Sequence, residues 1–321
     1  MRHLLSRMAL LLMVSTSFGV MSSETPIRIG ALAFGTLNWE LAAIDHEKSA
    51  QKYGIRLDVQ ALAGPDAGKI GIQGGSFDVI VTDWIWVAQQ RRQGQDLTFV
   101  PFSAVHGALL VPRDSPIKTL KDLKGKRIGV AGGGQDKNWL LLKAAGQKSA
   151  GLDLERATTV TYGAPPLLSE ALKQGQIDAL LTYWNQAVKL EAQGYHKILD
   201  GRGIQNLLKL EGNLPTLGYV FHERWANEHP EEIRGFLKAV GEAHDALCHS
   251  DALWSSVAGV TQEPDEAIRT ALRKGYCENP IPTVGASESE ALSALFGKVF
   301  PEAAGHPQLP AGLFWAAPAA P

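Results

Sequence analysis

DVIVTDWIWVAQ (Asp78–Gln89) and DALLTYWNQAV (Asp178–Val188) decide how the chain folds. In each, an aspartate precedes a short unbroken apolar run, a threonine ends the run, and a tryptophan two residues later opens a stretch with helical spacing. An unbroken apolar run of this length reads as a strand covered on both faces, the signature of parallel βαβ architecture rather than of a half-exposed strand.

Working outward, the same order of signals recurs on both sides. Arg28–Gly30 and Arg127–Gly129 both read RIG and open a short apolar strand. A glycine-containing loop follows, AFGT (33–36) in one case and AGGGQDK (131–137) in the other, and Asn38-Trp39 or Asn138-Trp139 then begins a helical pattern. Gly54 and Gly151 stop those helices, since glycine takes the left-handed cap at little cost. Second strands, short helices and glycine turns lead to the two opening segments, whose helices end in Gln93-Gly94 and Gln193-Gly194. The expected fold is α/β: two lobes of doubly wound, mainly parallel sheets with right-handed crossovers. Ligands of such sheets bind beyond the carboxyl ends of the strands, and two facing lobes make that place a shared cleft.

The chain has 321 residues and a formal net charge of −2, with no block of basic residues able to neutralise a row of phosphates, so nucleic acid is not an expected partner. Residues 1–24 carry a basic head, an apolar stretch too short to span a bilayer and a run of small residues, the order of a cleaved secretory signal. Export makes Cys248 and Cys277 either a structural disulfide or two buried thiols, and their spacing fits no zinc pattern.

The duplicated frame names the cleft loops. From the first lobe come Gly35, Thr36, Asn38 and Trp39, then Asp66, then Thr82, Asp83 and Trp84; from the second come Gly133, Gln135, Lys137, Asn138 and Trp139, then Tyr183 and Trp184. Glycines before a helix leave its first N–H groups free for an oxyanion. Four tryptophans at matching strand ends suggest a face for flat or cationic groups, with Asp83 as a counter-charge or a helix cap. His106, near the first crossing between lobes, is the remaining basic candidate beside Lys137. No Gly-x-Ser-x-Gly elbow, His-Glu-x-x-His pair or strand-end cysteine is present, so neither an enzyme nor a resident cofactor or metal is expected.

SPIKTLKDLKGKRIGV (Ser115–Val130), LKQGQIDALL (Leu172–Leu181) and RWANEHPEEIRGFLKAV (Arg224–Val240) resemble substrate-binding proteins of ABC importers, in the nitrate/taurine/sulfonate and thiamine-precursor group. The resemblance runs from about Ile27 to about Phe300. Toward the C-terminus periodicity gives way to proline and alanine, so a mobile tail is expected over 313–321, and the resemblance implies a type II periplasmic-binding fold with a hinge and an interlobe cleft: lobe 1 from residues 25–111 and 216–312, lobe 2 from 112–215. It also implies a monomer in the periplasm that delivers a small-molecule ligand to an inner-membrane permease, and strand-end ligand contacts at Gly35, Thr36, Asp66, Thr82, Asp83, Gly133, Gln135 and Trp184. The expected ligand is small, polar and organic, with an aromatic or cationic part. No arginine falls in a cleft loop, which weighs against sulfonate or nitrate. A periplasmic sensor, or an accessory of an exported oxidoreductase, is the alternative that uses the same fold.

Overall fold

The structure, a computed structural model, describes residues 25–104, 106–279, 281–300 and 308–316. The secretory signal expected over residues 1–24 lies outside them. Strand β1 (Ile27–Leu32) is followed by α1 (Leu37–Glu47), the single turn α2 (Ser49–Lys52), β2 (Leu57–Leu62), α3 (Pro65–Gln73), β3 (Val79–Thr82), α4 (Trp84–Arg92) and β4 (Leu97–Ser103). β1 runs parallel to both β2 and β3, with Ile29 opposite Val59 and Val79.

A second series repeats this order. After β5 (Ala108–Val111) come β6 (Arg127–Ala131), α5 (Lys137–Ala150), α6 (Leu154–Ala157), β7 (Thr159–Gly163), α7 (Pro165–Lys173), β8 (Ala179–Thr182), α8 (Trp184–Ala192), β9 (His196–Asp200) and α9 (Gly201–Leu207). The chain then returns through β10 (Leu217–His222) to α10 (Glu223–Glu228), α11 (Pro230–His249), α12 (Asp251–Val257), α13 (Glu266–Cys277) and α14 (Ala286–Val299).

The sheets have matching orders, β2-β1-β3-β10-β4 and β7-β6-β8-β5-β9. In each, three parallel strands are extended by a crossing strand that pairs antiparallel on both sides, β10 in the first and β5 in the second. The sheets are therefore mixed. Residues 108–111, counted above with lobe 1, pair with β8 and β9 and belong to the second sheet.

The repeated residues do the same work twice. Arg28 donates from Nε and Nη2 to the Asp78 carboxylate at 3.0 and 2.5 Å and from Nη1 to Gly75 O at 2.6 Å. Arg127 forks onto Asp178 at 3.2 and 2.6 Å and reaches Gly175 O at 2.9 Å. Each two-pronged contact ties the start of one strand to the turn before its neighbour. The glycine of each RIG is required by close approach: a side chain on Gly30 would begin 2.9 Å from the Phe77 ring, and one on Gly129 would begin 2.5 Å from Ile177.

The C-terminal helices complete the first lobe. Ile233, Phe236, Val240, Ala243 and Leu247 recur at helical spacing on α11 and are buried in the same cluster as residues of α1. Cys248 and Cys277 form a disulfide that joins the end of α11 to the end of α13. Mobility from residue 313 does not hold for the part of the tail described: Leu313 is buried, its carbonyl accepts from Phe99 N at 2.8 Å, and Trp315 N donates to Phe99 O at 3.0 Å. The tail continues a line of backbone pairing along β4, and residues 317–321 lie outside the described ones.

Candidate functional site

The strand ends of the two sheets face each other across a cavity of about 90 Å³. That is room for several waters, and so for a ligand of modest size. The first lobe contributes Phe34, Gly35 and Thr36 after β1, Pro65, Asp66 and Lys69 of α3, and Thr82 and Asp83 at the end of β3. The second contributes Gly133, Asp136, Lys137 and Asn138 around the start of α5, and Tyr183, Trp184 and Asn185 at the start of α8. The cleft is closed. Asn185 Nδ2 donates across it to Phe34 O at 3.0 Å, and Lys189 Nζ donates to Thr261 O at 3.0 Å and lies 3.5 Å from Glu263 Oε2.

Five helix N-termini meet at this cavity, those of α1, α3, α4, α5 and α8, and they differ in how their free N–H groups are served. Asp83 caps α4 by accepting from Trp86 N at 2.8 Å, and Asp136 caps α5 by accepting from Asn138 N at 2.8 Å. The starts of α1, α3 and α8 carry no side-chain cap, Thr36, Gly64 and Tyr183 occupying the cap positions. In α1 Asn38 N donates to Gly35 O at 3.3 Å and Trp39 N to Thr36 O at 3.0 Å, and in α8 Asn185 Oδ1 accepts from Gln186 N at 3.1 Å, so it is mainly the positive ends of these helix dipoles that are turned toward the cleft.

Burial sets the charges on the wall. It raises the Asp136 carboxyl above the usual carboxylate range, with Asp83 adding to the rise while Lys137 opposes it. Burial first, and then the Asp136 carboxylate, push the Tyr183 phenol well above its ordinary value, so its hydroxyl stays protonated and hydrogen-bonds Asp136. Asp83 Oδ2 faces Lys69 Nζ at 3.9 Å, with both side chains buried. Gly132, which takes φ +87°, lets the loop turn beneath the Tyr183 hydroxyl and Asp136.

Of the residues expected from sequence, Gly35, Thr36, Asp66, Thr82 and Asp83 lie on the cavity wall, as do Gly133, Lys137, Asn138, Tyr183 and Trp184. Six do not. Asn38 Nδ2 is spent inside the first lobe on Leu32 O and Gly35 O, at 2.7 and 2.9 Å. Gln135 is exposed on the glycine loop. His106 packs over Gly201, and Gln205 Nε2 donates to its Nε2 at 3.0 Å. Burial, with Lys137 and Arg202 nearby, pushes that imidazole down to about 3, so it is neutral and is not the basic group expected.

The four indoles do not form a common face. Trp39 packs edge-on to Trp254 and Trp184, Trp84 lies 6.4 Å from the Phe296 ring, and Trp139 is 0% exposed inside the second lobe. Trp39 and Trp139 stand at the third position of their helices, Trp139 buried in its own lobe and Trp39 held between Trp254 of its own lobe and Trp184 of the other, and Trp84 at the first position of α4 is claimed by α14. Only Trp184 reaches the cavity. Sequence reasoning missed Lys69, Asp136 and Asn185. Asp136 carried a readable signal, an aspartate immediately before a helix, and Lys69 lies one turn beyond Asp66 on α3.

Residues 51–251 match a protein-family model described as NMT1/THI5 like. The putative aliphatic sulfonates-binding protein of Escherichia coli (strain K12) is 30% identical over 251 residues, covering 75% of this chain and 72% of that protein. Two solved structures share the architecture. The alkanesulfonate-binding protein SsuA from Xanthomonas axonopodis pv. citri, bound to MOPS, aligns with a TM-score of 0.72 at 21% identity, covering 92% of this chain and 99% of that one. The periplasmic aliphatic sulphonate binding protein SsuA from Escherichia coli aligns at 0.69 with 24% identity, covering 92% and 94%. At those identities the two structures establish the fold.

Proposed function

The chain belongs to the NMT1/THI5-like family of ABC-importer substrate-binding proteins, and from that premise we propose that it captures a small polar organic solute between its lobes in the periplasm and hands it to an inner-membrane permease. The supporting observation is the closed cavity walled by strand-end loops of both sheets. A solute there touches both lobes at once, so it favours the closed arrangement over any in which the lobes part, and by that differential affinity it presents the permease with a distinct shape.

Binding rather than catalysis suits the wall, whose polar groups are helix ends, capping carboxylates and lysines rather than a nucleophile aligned with a base. Three of the four indoles lie elsewhere, which removes the basis for an aromatic cage. The solute is instead held by charge and hydrogen bonds.

Native mass spectrometry of protein purified from a periplasm without refolding tests this reading. The expected spectrum contains a species heavier by one small organic molecule, and refolding removes that mass. Protein that carries no added mass after exposure to a total small-molecule extract, and whose melting is unmoved by it, contradicts the proposal.

A further inference from the structure

Helix α8 belongs to the second lobe but buries one of its faces in the first. Trp184 and Val188 pack into the core cluster of the first lobe, and beside them Asn185 and Lys189, one turn apart, reach polar groups of that lobe. The counterpart helix α4 also opens on tryptophan but has Ile85 and Gln89 at the matching positions. The asparagine and the lysine therefore mark where α8 departs from the repeat in order to cross between lobes.

Lys189 makes the far end of this crossing. Its ammonium donates to Thr261 O at 3.0 Å and to Gln262 O at 3.2 Å and stands 3.5 Å from Glu263 Oε2, all in the connection between α12 and α13. The side chains of Lys189 and Glu263 are 14% and 10% exposed, and neither has a second ion pair among the described residues. Gln262 takes φ +53°, uncommon for a residue with a side chain, and its Nε2 donates to Ala33 O at 3.1 Å. The connection is thereby fixed to the loop after β1, whose Phe34 O accepts from Asn185. Val188, Lys189, Thr261, Gln262 and Glu263 all stand outside the cavity wall.

Opening the lobes separates this pair. In the closed form burial pulls the Lys189 ammonium below the usual lysine range, and Glu263 opposes that fall. Removing one member leaves the other charge desolvated in the closed form only, since either can hydrate once the lobes part. Removing both leaves no charge stranded. Closure, and not the open form, therefore depends on the match between them.

We infer that Lys189 and Glu263 latch the lobes and set how long a captured solute is held, as positioning residues that never touch it. This rests on the solute-binding reading above and deepens it. Contacts in the cavity choose the solute, and a charge pair outside the cavity governs its residence time.

The probe is the small-molecule adduct that the full protein carries from the periplasm, followed by native mass spectrometry as it is lost on dilution into solute-free buffer. Lys189→Met and Glu263→Gln should each shorten its half-time about tenfold or more. The double variant should recover to within about threefold of the unaltered protein, because neither charge is then buried alone. A purely structural role predicts instead a double variant no better than the worse single one. Glu263→Asp keeps the charge and draws it back, so its half-time should lie between those of Glu263→Gln and the unaltered protein. Melting of the adduct-free variants reports whether they fold. Unchanged half-times in both single variants, or a double variant as fast as the singles, overturn the latch while the adduct itself leaves solute binding standing. Unaltered protein that carries no adduct, and takes up no mass from a total small-molecule extract, overturns both.

Discussion

Glu40 is wholly buried in the first lobe, and its carboxylate accepts from the Tyr219 and Tyr276 hydroxyls at 2.5 Å each, with His244 Nδ1 3.8 Å away. Burial and the neighbouring carboxylate push both phenols well above their ordinary value, so both remain donors. Glu40→Ala strands two buried hydroxyls and opens a void, an expected loss of about 2–5 kcal/mol in urea unfolding. A loss below about 1 kcal/mol would contradict this account of the cluster. His106 gives a pH signature. Its imidazole titrates at about 3 in the fold against an ordinary 6.5, so the native state holds the neutral form and the unfolded state takes up the proton first. Its contribution to stability is full above about pH 6.5 and is lost as pH falls toward 3, at up to about 1.4 kcal/mol per unit. His106→Asn should flatten the acid limb of the stability profile over that window. At this scale the sequence was legible where a residue's role is local: Asp83 before a helix is a cap, and it caps. It was illegible for the tryptophans, because which way an indole turns depends on partners such as Phe296 and Trp254, far along the chain.

The disulfide between α11 and α13 closes a loop with a sequence separation of 29 residues. Reduction should lower stability by about 3 kcal/mol through the freedom regained by the unfolded chain, measured as a shift of the urea midpoint with and without reductant. An unmoved midpoint would contradict a bridge that braces these helices. The paired elements of the two lobes were readable from RIG, the glycine turns and the Asp-strand-Thr segments, because each signal marks a local necessity: a close approach, a left-handed turn or a buried strand. The direction of β5 and β10 was not readable. An apolar run records that both faces are covered and says nothing of which way its neighbours run, so the crossing strands emerged as antiparallel insertions. For the same reason the first crossing precedes β5 rather than following it.

Closure of the two lobes is a property of the molecule as a whole, and Trp184 sits where it can be read. Carried by the second lobe, it lines the cavity while its ring packs against Trp39 and lies 3.0 Å from where a side chain on Gly275 would begin. Gly275→Ala should press on that ring and loosen the closed form, raising the solute dissociation rate several-fold in stopped-flow fluorescence with little change in the melting of solute-free protein. An unchanged rate would remove Trp184 from the closure contact. The two-lobed plan was legible because duplication writes it twice, whereas the closed contacts were not, since α8 meets α13 only after the chain has made both crossings. The central claim is that solute lies between the lobes, and hydrogen–deuterium exchange with and without the solute recovered from the native protein tests it most directly. The account predicts slowed exchange in residues 33–37, 64–69, 132–138 and 182–186, drawn from both lobes. Unchanged exchange there, with protection instead in the outer groove of the second lobe lined by Lys118, Lys121 and Leu207, would contradict it.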